Sequence, residues 1–210
     1  MKNKIIVFGD SITFGAWDME CAGWVNRMRL AIDNDKSIIS AHVFNMGISG
    51  QIVSEITGRI DDECGRRVLE EANNVVVLSA GINDTQLIPS DASSRELKLR
   101  TGREQFRNDV TELIRRAKRY TDKVIYMGLT PVDERLTNPI RWDRSKNWRN
   151  ECIIEYDGII REICASEGID YVYVYDAIDP FENWDGLHPA AAGHKILAEI
   201  MGAAVRKYIV

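Results

Sequence analysis

The chain has 210 residues, 45% of them hydrophobic and 28% charged, a balance that excludes a disordered or fibrous polypeptide and leaves material for one sizeable core. Its net charge of -5 argues against a basic face that would neutralise phosphates, and so against nucleic acid as a partner. Four widely spaced cysteines, Cys21, Cys64, Cys152 and Cys164, form no CxxC pair, so free thiols are expected rather than a zinc or redox motif.

Along the chain, short apolar runs alternate with stretches of helical period, the pattern of repeated βα units on a parallel sheet, and five such units can be counted. Residues 4–9 predict the first strand, which stops at Gly9-Asp10-Ser11; a helix near 22–34 follows, with Trp24, Val25, Met28, Leu30 and Ile32 as its apolar stripe. The second strand runs over 41–45 and ends at Met46-Gly47, and a helix over 53–72 comes next, weakened by Gly58 and Gly65. Residues 75–80 are an unbroken β-branched run, as expected of a strand covered on both faces. A polar loop over 85–101 leads to a helix near 103–120, with Phe106, Val110, Leu113, Ile114 and Ala117 at helical spacing. The fourth strand spans 123–129, an irregular stretch 131–146, and a long helix 147–166 carries Ile153, Tyr156, Ile160, Ile163 and Cys164 on one face. Residues 171–175 form the fifth strand, and a closing helix over 189–207 has Pro189 in its first turn. No segment approaches the roughly 20 apolar residues of a membrane span, and the chain enters a strand too soon after Met1 for a signal peptide. A single domain over 1–210, in the cytoplasm, is the expectation.

The longer loops follow strands, so they gather at the carboxyl edge of the sheet, where open α/β folds bind their ligands. Four short signatures stand at strand ends there: Gly9-Asp10-Ser11, Gly47 within NMGISG, Gly81-Ile82-Asn83-Asp84, and Asp185-Gly186-Leu187-His188. A serine hydroxyl is a poor nucleophile until a base takes its proton, and imidazole, which titrates near neutral pH, makes His188 the natural base. Asp185, three residues earlier, is placed to accept from the other ring nitrogen and fix the tautomer.

In these four blocks, spread over residues 9 to 188, the chain resembles the GDSL or SGNH family of esterases and lipases, whose second name is a serine, a glycine, an asparagine and a histidine, here Ser11, Gly47, Asn83 and His188. The resemblance implies a three-layer α/β/α fold with a flavodoxin-like five-stranded parallel sheet in the order 2-1-3-4-5. It further implies a cofactor-free serine hydrolase that cleaves small carboxylic esters, acetylated sugars and aryl esters among them, through Ser11, His188 and Asp185. The backbone amides of Ser11 and Gly47 and the side-chain amide of Asn83 would form the oxyanion hole. The GxSxG elbow of α/β-hydrolases is absent around Ser11. Lysophospholipase and thioesterase activities occur in the same family, and a non-catalytic flavodoxin-like domain holding a flavin or phosphate is the alternative from another class.

Other polar residues have plainer expected roles. Asp10 reads as a loop-fixing acceptor, Asp84 as the tie for the loop that carries Asn83, and Ser49 and Gly50 as turn residues. His42 and His194 read as structural, and Arg115, Arg116, Lys118 and Arg119 as a solvated helix face. No HExxH or acidic cluster suggests a metal. Trp17, Trp142, Trp148 and Trp184 fall in or beside strand-end loops; Trp17 and Trp184, which adjoin the motifs, are expected to wall a substrate pocket, and Trp24 to sit in helix core.

Overall fold

The run Ile5–Phe8 is fully buried as the middle of strand β1 (Asn3–Gly9), an inner strand in a computed structural model that describes residues 2–91, 94 and 96–209. Helices α1 (Ser11–Phe14) and α2 (Trp24–Asp33) follow, then β2 (Ala41–Gly47), α3 (Val53–Thr57), α4 (Ile60–Arg67) and β3 (Asn73–Ser79). A hairpin β4 (Leu87–Pro89) and β5 (Leu97–Leu99) precedes α5 (Arg103–Lys118), and the chain closes with β6 (Val124–Met127), α6 (Glu134–Thr137), α7 (Asn150–Glu167), β7 (Asp170–Val172) and α8 (Ala191–Arg206).

The main sheet is parallel with strand order β2-β1-β3-β6-β7, the flavodoxin-like order 2-1-3-4-5. On one side α2 packs against α8, and on the other α5 packs against α3, α4 and α7, giving three layers. Both faces are apolar for this reason: Val75 to Leu78 in β3 have no exposed surface, and Trp24 from one helical layer and Phe106 and Tyr156 from the other fill the space against them. Strands β2, β1 and β3 run in step, with Gly9 opposite both Gly47 and Ser79, so the loops after them leave the sheet at one level.

Four expected elements differ. The helix over 53–72 is two helices, α3 and α4, broken at Gly58-Arg59, and β3 begins at Asn73. The loop over 85–101 holds the antiparallel hairpin β4–β5, three residues a side with Leu87 opposite Leu99, too short for an alternating pattern; residues 92, 93 and 95 lie outside the described residues. Strand β7 stops at Val172, and Tyr175 enters a 3-10 turn, Tyr175–Ala177. Helix α8 starts at Ala191 with Ala190 as its cap, so Pro189 precedes it; the proline ring instead covers Gly193, where an added Cβ would come within 2.8 Å of it.

Candidate active site

Ser11 is the first residue of α1, capped by Asp10, whose Oδ1 accepts the Ile12 N–H at 2.9 Å. This single turn of helix lies against the ends of two strands: a Cβ on Gly9 would stand 2.0 Å from Thr13 Oγ1, and one on Gly47 2.2 Å from Phe14 N. Only glycine at both positions admits that approach, which explains why the serine follows a Gly-Asp pair. Burial pushes the Asp10 carboxyl up to about 6 against the opposing pull of the Ile12 amide, as befits a cap sealed beneath the site.

His188 arrives from the other end of the chain. Its Nε2 lies 2.8 Å from Ser11 Oγ, and its Nδ1 2.8 Å from Asp185 Oδ2. The same aspartate accepts the Leu187 and His188 N–H groups through Oδ1, at 3.0 and 2.9 Å, so the loop curls around its own carboxylate. Trp142 donates its Nε1–H to Asp185 Oδ2 at 3.1 Å. Burial opposes ionisation of Asp185, but the hydrogen bonds and the charge of His188 outweigh it and hold the carboxyl at about 2. The loop is latched to the segment after β6: Gly186 O accepts the Asp133 N–H at 2.8 Å, and Asn183 Nδ2 donates to Pro131 O at 3.3 Å. Gly186 has φ 88 and is packed against Leu136 and Asp133, so the turn is specific to glycine on both counts.

Beside Ser11 and His188 opens a cavity of about 330 Å³, also lined by Ser49, Gly50 and Asn83 and walled by Trp17, Trp142 and Trp148. Asn83 is buried and spends one Nδ2 proton on Gln51 O at 3.0 Å, leaving the other for the cavity. Gly50 stands at φ 81 with its carbonyl held by Arg100 at 3.0 Å, and no acceptor among the described residues takes its N–H. Asp84 fixes this side, accepting from the Val53 N–H at 3.1 Å and Thr101 Oγ1 at 2.8 Å; fully buried, its carboxyl is pushed up to about 7. Among the described residues, no group of His, Cys, Asp or Glu side chains could hold a metal ion, and no helix is long and apolar enough to cross a membrane.

The sequence matches the GDSL-like Lipase/Acylhydrolase family over residues 7–196. The chain belongs to that family. It is therefore a carboxylic ester hydrolase, and the alternative of a non-catalytic ligand-binding domain falls away. Among solved structures, a lipase/acylhydrolase from Enterococcus faecalis aligns with TM-score 0.77 at 21% identity, over 100% of this chain and 98% of that one. A variant of the acetyl xylan esterase Axe2 from Geobacillus stearothermophilus gives TM-score 0.71 at 20% identity, over 99% and 96%. LAE5, an alpha/beta hydrolase enzyme from the metagenome of Lake Arreo, Spain, gives TM-score 0.71 at 19% identity, over 99% and 96%. At such identities the likeness speaks for the fold. A search of curated proteins finds no match.

Within this acylhydrolase, one expected donor is not where the sequence suggested. Gly47 is the last residue of β2, its N–H is taken by Asn45 Oδ1 at 2.9 Å, and it lines a separate groove rather than the cavity of Ser11, Asn83 and His188. Gly50, three residues on in NMGISG, occupies the expected place, with Ser49 beside it. The tryptophans also sort differently. Trp17 lines the cavity, whereas Trp184 reaches it only by stacking on Trp17, with ring centroids 4.0 Å apart. Trp142 and Trp148, which the sequence placed in or beside strand-end loops without singling them out, are cavity walls as well; Trp148 is buried and donates to Ile82 O at 3.0 Å. His194 is structural: Nδ1 accepts the Trp24 N–H at 3.2 Å, which leaves Nε2–H to donate to Ala16 O at 3.1 Å. His42 faces outward from β2 beside the Phe44 ring. All four cysteines are free.

Proposed function

We propose that this acylhydrolase cleaves small acyl esters, acetylated sugars or aryl esters, through an acyl-enzyme formed on Ser11. Ser11 Oγ attacks the ester carbonyl as His188 Nε2 removes its proton, and Asp185, held ionised, stabilises the imidazolium and fixes its orientation. The carbonyl oxygen, now negative, lies against the N–H groups of Ser11 and Gly50 and the free Nδ2 proton of Asn83, donors set in place before the reaction begins. His188 then gives its proton to the departing alkoxide, and water, activated by the same imidazole, releases the acid.

The observation that carries this proposal is the continuous chain Ser11 Oγ–His188 Nε2, His188 Nδ1–Asp185 Oδ2, with both links at 2.8 Å, opening on a cavity that also contains Gly50 and Asn83. A small acyl group is supported by the modest cavity of about 330 Å³. It is also supported by the structural neighbour Axe2, an acetyl xylan esterase whose catalytic mutants replace a serine, an aspartate and a histidine. Hydrolysis of p-nitrophenyl acetate is expected from the wild type and not from Ser11→Ala. A fluorophosphonate should label Ser11 and fail to do so in His188→Ala. Equal rates in wild type and Ser11→Ala would sink the proposal.

A further inference from the structure

A second, larger groove of about 650 Å³ lies on the far side of Trp17 and shares Ala16 and Trp17 with the catalytic cavity. We infer that this groove seats an apolar chain or ring of the ester, so that substrate bound at Ser11 extends over Trp17 onto the surface formed by Phe14 and Met19. The inference rests on the ester hydrolysis proposed above and adds to it the kind of substituent that the enzyme selects.

Three features point there. The first is continuity, since the two spaces share Ala16 and Trp17 in their linings. Trp17 stands at φ 68, a conformation that bulky residues rarely adopt; it is 39% exposed, and the chain on either side of it is anchored. His194 Nε2 binds the preceding carbonyl of Ala16 at 3.1 Å, Asp18 follows in a closed network, and the indole stacks on Trp184 of the His188 loop. With Ala16 and Trp17 common to both, the groove adjoins the reaction site directly.

The second feature is the groove's spent hydrogen-bonding capacity. Asp18 accepts five bonds, from Arg27 Nε and Nη2 and from the N–H groups of Glu20, Cys21 and Gly23. Asn45 donates to Thr13 O at 2.9 Å and accepts from Gly47, and Asn26 donates to Ala22 O at 3.1 Å. Of these side chains only Asn26 keeps donor and acceptor capacity, so a sugar hydroxyl lying there would find few partners, whereas a methylene or aryl group needs none. The third feature is exposure: Phe14 and Met19 are 58% and 88% exposed at the groove, apolar surface that a bound chain would cover.

The test uses two arms that share ethyl acetate as reference, each followed by pH-stat below the solubility limit of the ester. One arm lengthens the acyl part, from ethyl acetate to ethyl octanoate; the other lengthens the alcohol, from ethyl acetate to octyl acetate. In one of the arms kcat/KM should rise about two- to threefold per added methylene, as for a chain partly removed from water: a rise in the alcohol arm seats the alcohol in the groove and keeps the acyl group small, whereas a rise in the acyl arm seats the acyl chain there and replaces the small acyl group proposed above with a long one. Met19→Glu, which sets a charge in the groove, and Asn26→Trp, which fills it, should each lower the long-to-short kcat/KM ratio of that arm by at least about tenfold, and a fall in either variant supports the inference. Taking the ratio within each variant cancels any general loss of activity. Flat profiles in both arms, or ratios unchanged in both variants, would overturn it. If the wild type hydrolyses ethyl acetate through Ser11 but shows no chain-length preference, the groove inference fails and the proposed chemistry stands; if Ser11→Ala is as active as wild type, the chemistry fails first.

Discussion

In the mechanism proposed above, replacing Asn83 by alanine removes one of three donors from the place where negative charge develops and leaves the nucleophile and its base untouched. Asn83 is 5% exposed, so water cannot fully take over the role, and a missing oxyanion donor typically raises the barrier by about 3 to 4 kcal/mol, a loss of 10²–10³ in kcat. The effect belongs to the transition state and not to the bound ester, so KM should change little. A separate cost falls on stability. The bond from Nδ2 to Gln51 O at 3.0 Å is lost, worth about 1 kcal/mol, which a well-folded domain tolerates. Steady-state hydrolysis of p-nitrophenyl acetate, read beside urea unfolding of the same preparation, separates the two effects. A kcat within tenfold of wild type in a folded Asn83→Ala protein would refute the placement of Asn83 in the oxyanion hole.

Three further outcomes are expected. Trp142→Phe keeps the cavity wall but removes the donor to Asp185 Oδ2; a hydrogen bond to a charged group contributes ~1.5 kcal/mol, so kcat should fall by roughly tenfold, and an unchanged kcat would reduce Trp142 to a wall. Asp84 is held at about 7 by burial, above its ordinary 3.8, so the folded state binds the extra proton. Its ionisation therefore costs nothing below pH 3.8 and destabilises progressively as pH rises from there through 7, by on the order of 2–4 kcal/mol. Asp84→Asn should flatten that slope in urea unfolding between pH 5 and 7.5, and an identical slope would contradict the assignment. Gly186→Ala forces a side chain into φ 88 and to 2.7 Å from Leu136 Cβ; loosening of the His188 loop should lower kcat/KM at least tenfold with ~1–3 kcal/mol of stability lost, as seen by activity and thermal melting.

Most of the sheet was legible because its strands are short apolar runs flanked by glycine and polar residues, and a strand such as β3, sealed on both faces, has no polar alternation to confuse the signal. The hairpin β4–β5 was invisible for the opposite reason, being three residues a side and partly polar. Ser11, Asp185 and His188, which folding brings within hydrogen-bonding distance, could be singled out because each sits in a motif whose proposed chemistry requires its residue type. Which glycine of NMGISG lines the cavity could not, because the answer depends on where β2 stops and on Asn45 turning back to take the Gly47 N–H, both tertiary outcomes. Trp142 escaped in the same way: it lies 43 residues from Asp185, in a stretch without periodicity, and only folding brings its indole to the carboxylate.

Ser11 and His188 stand 177 residues apart, one in the first turn of helix and the other just before the last helix. In the proposed mechanism a ribosome making this chain therefore produces the hydroxyl long before the imidazole that would activate it. A product of premature termination before residue 188 would carry the serine without that base and is expected to have no esterase activity.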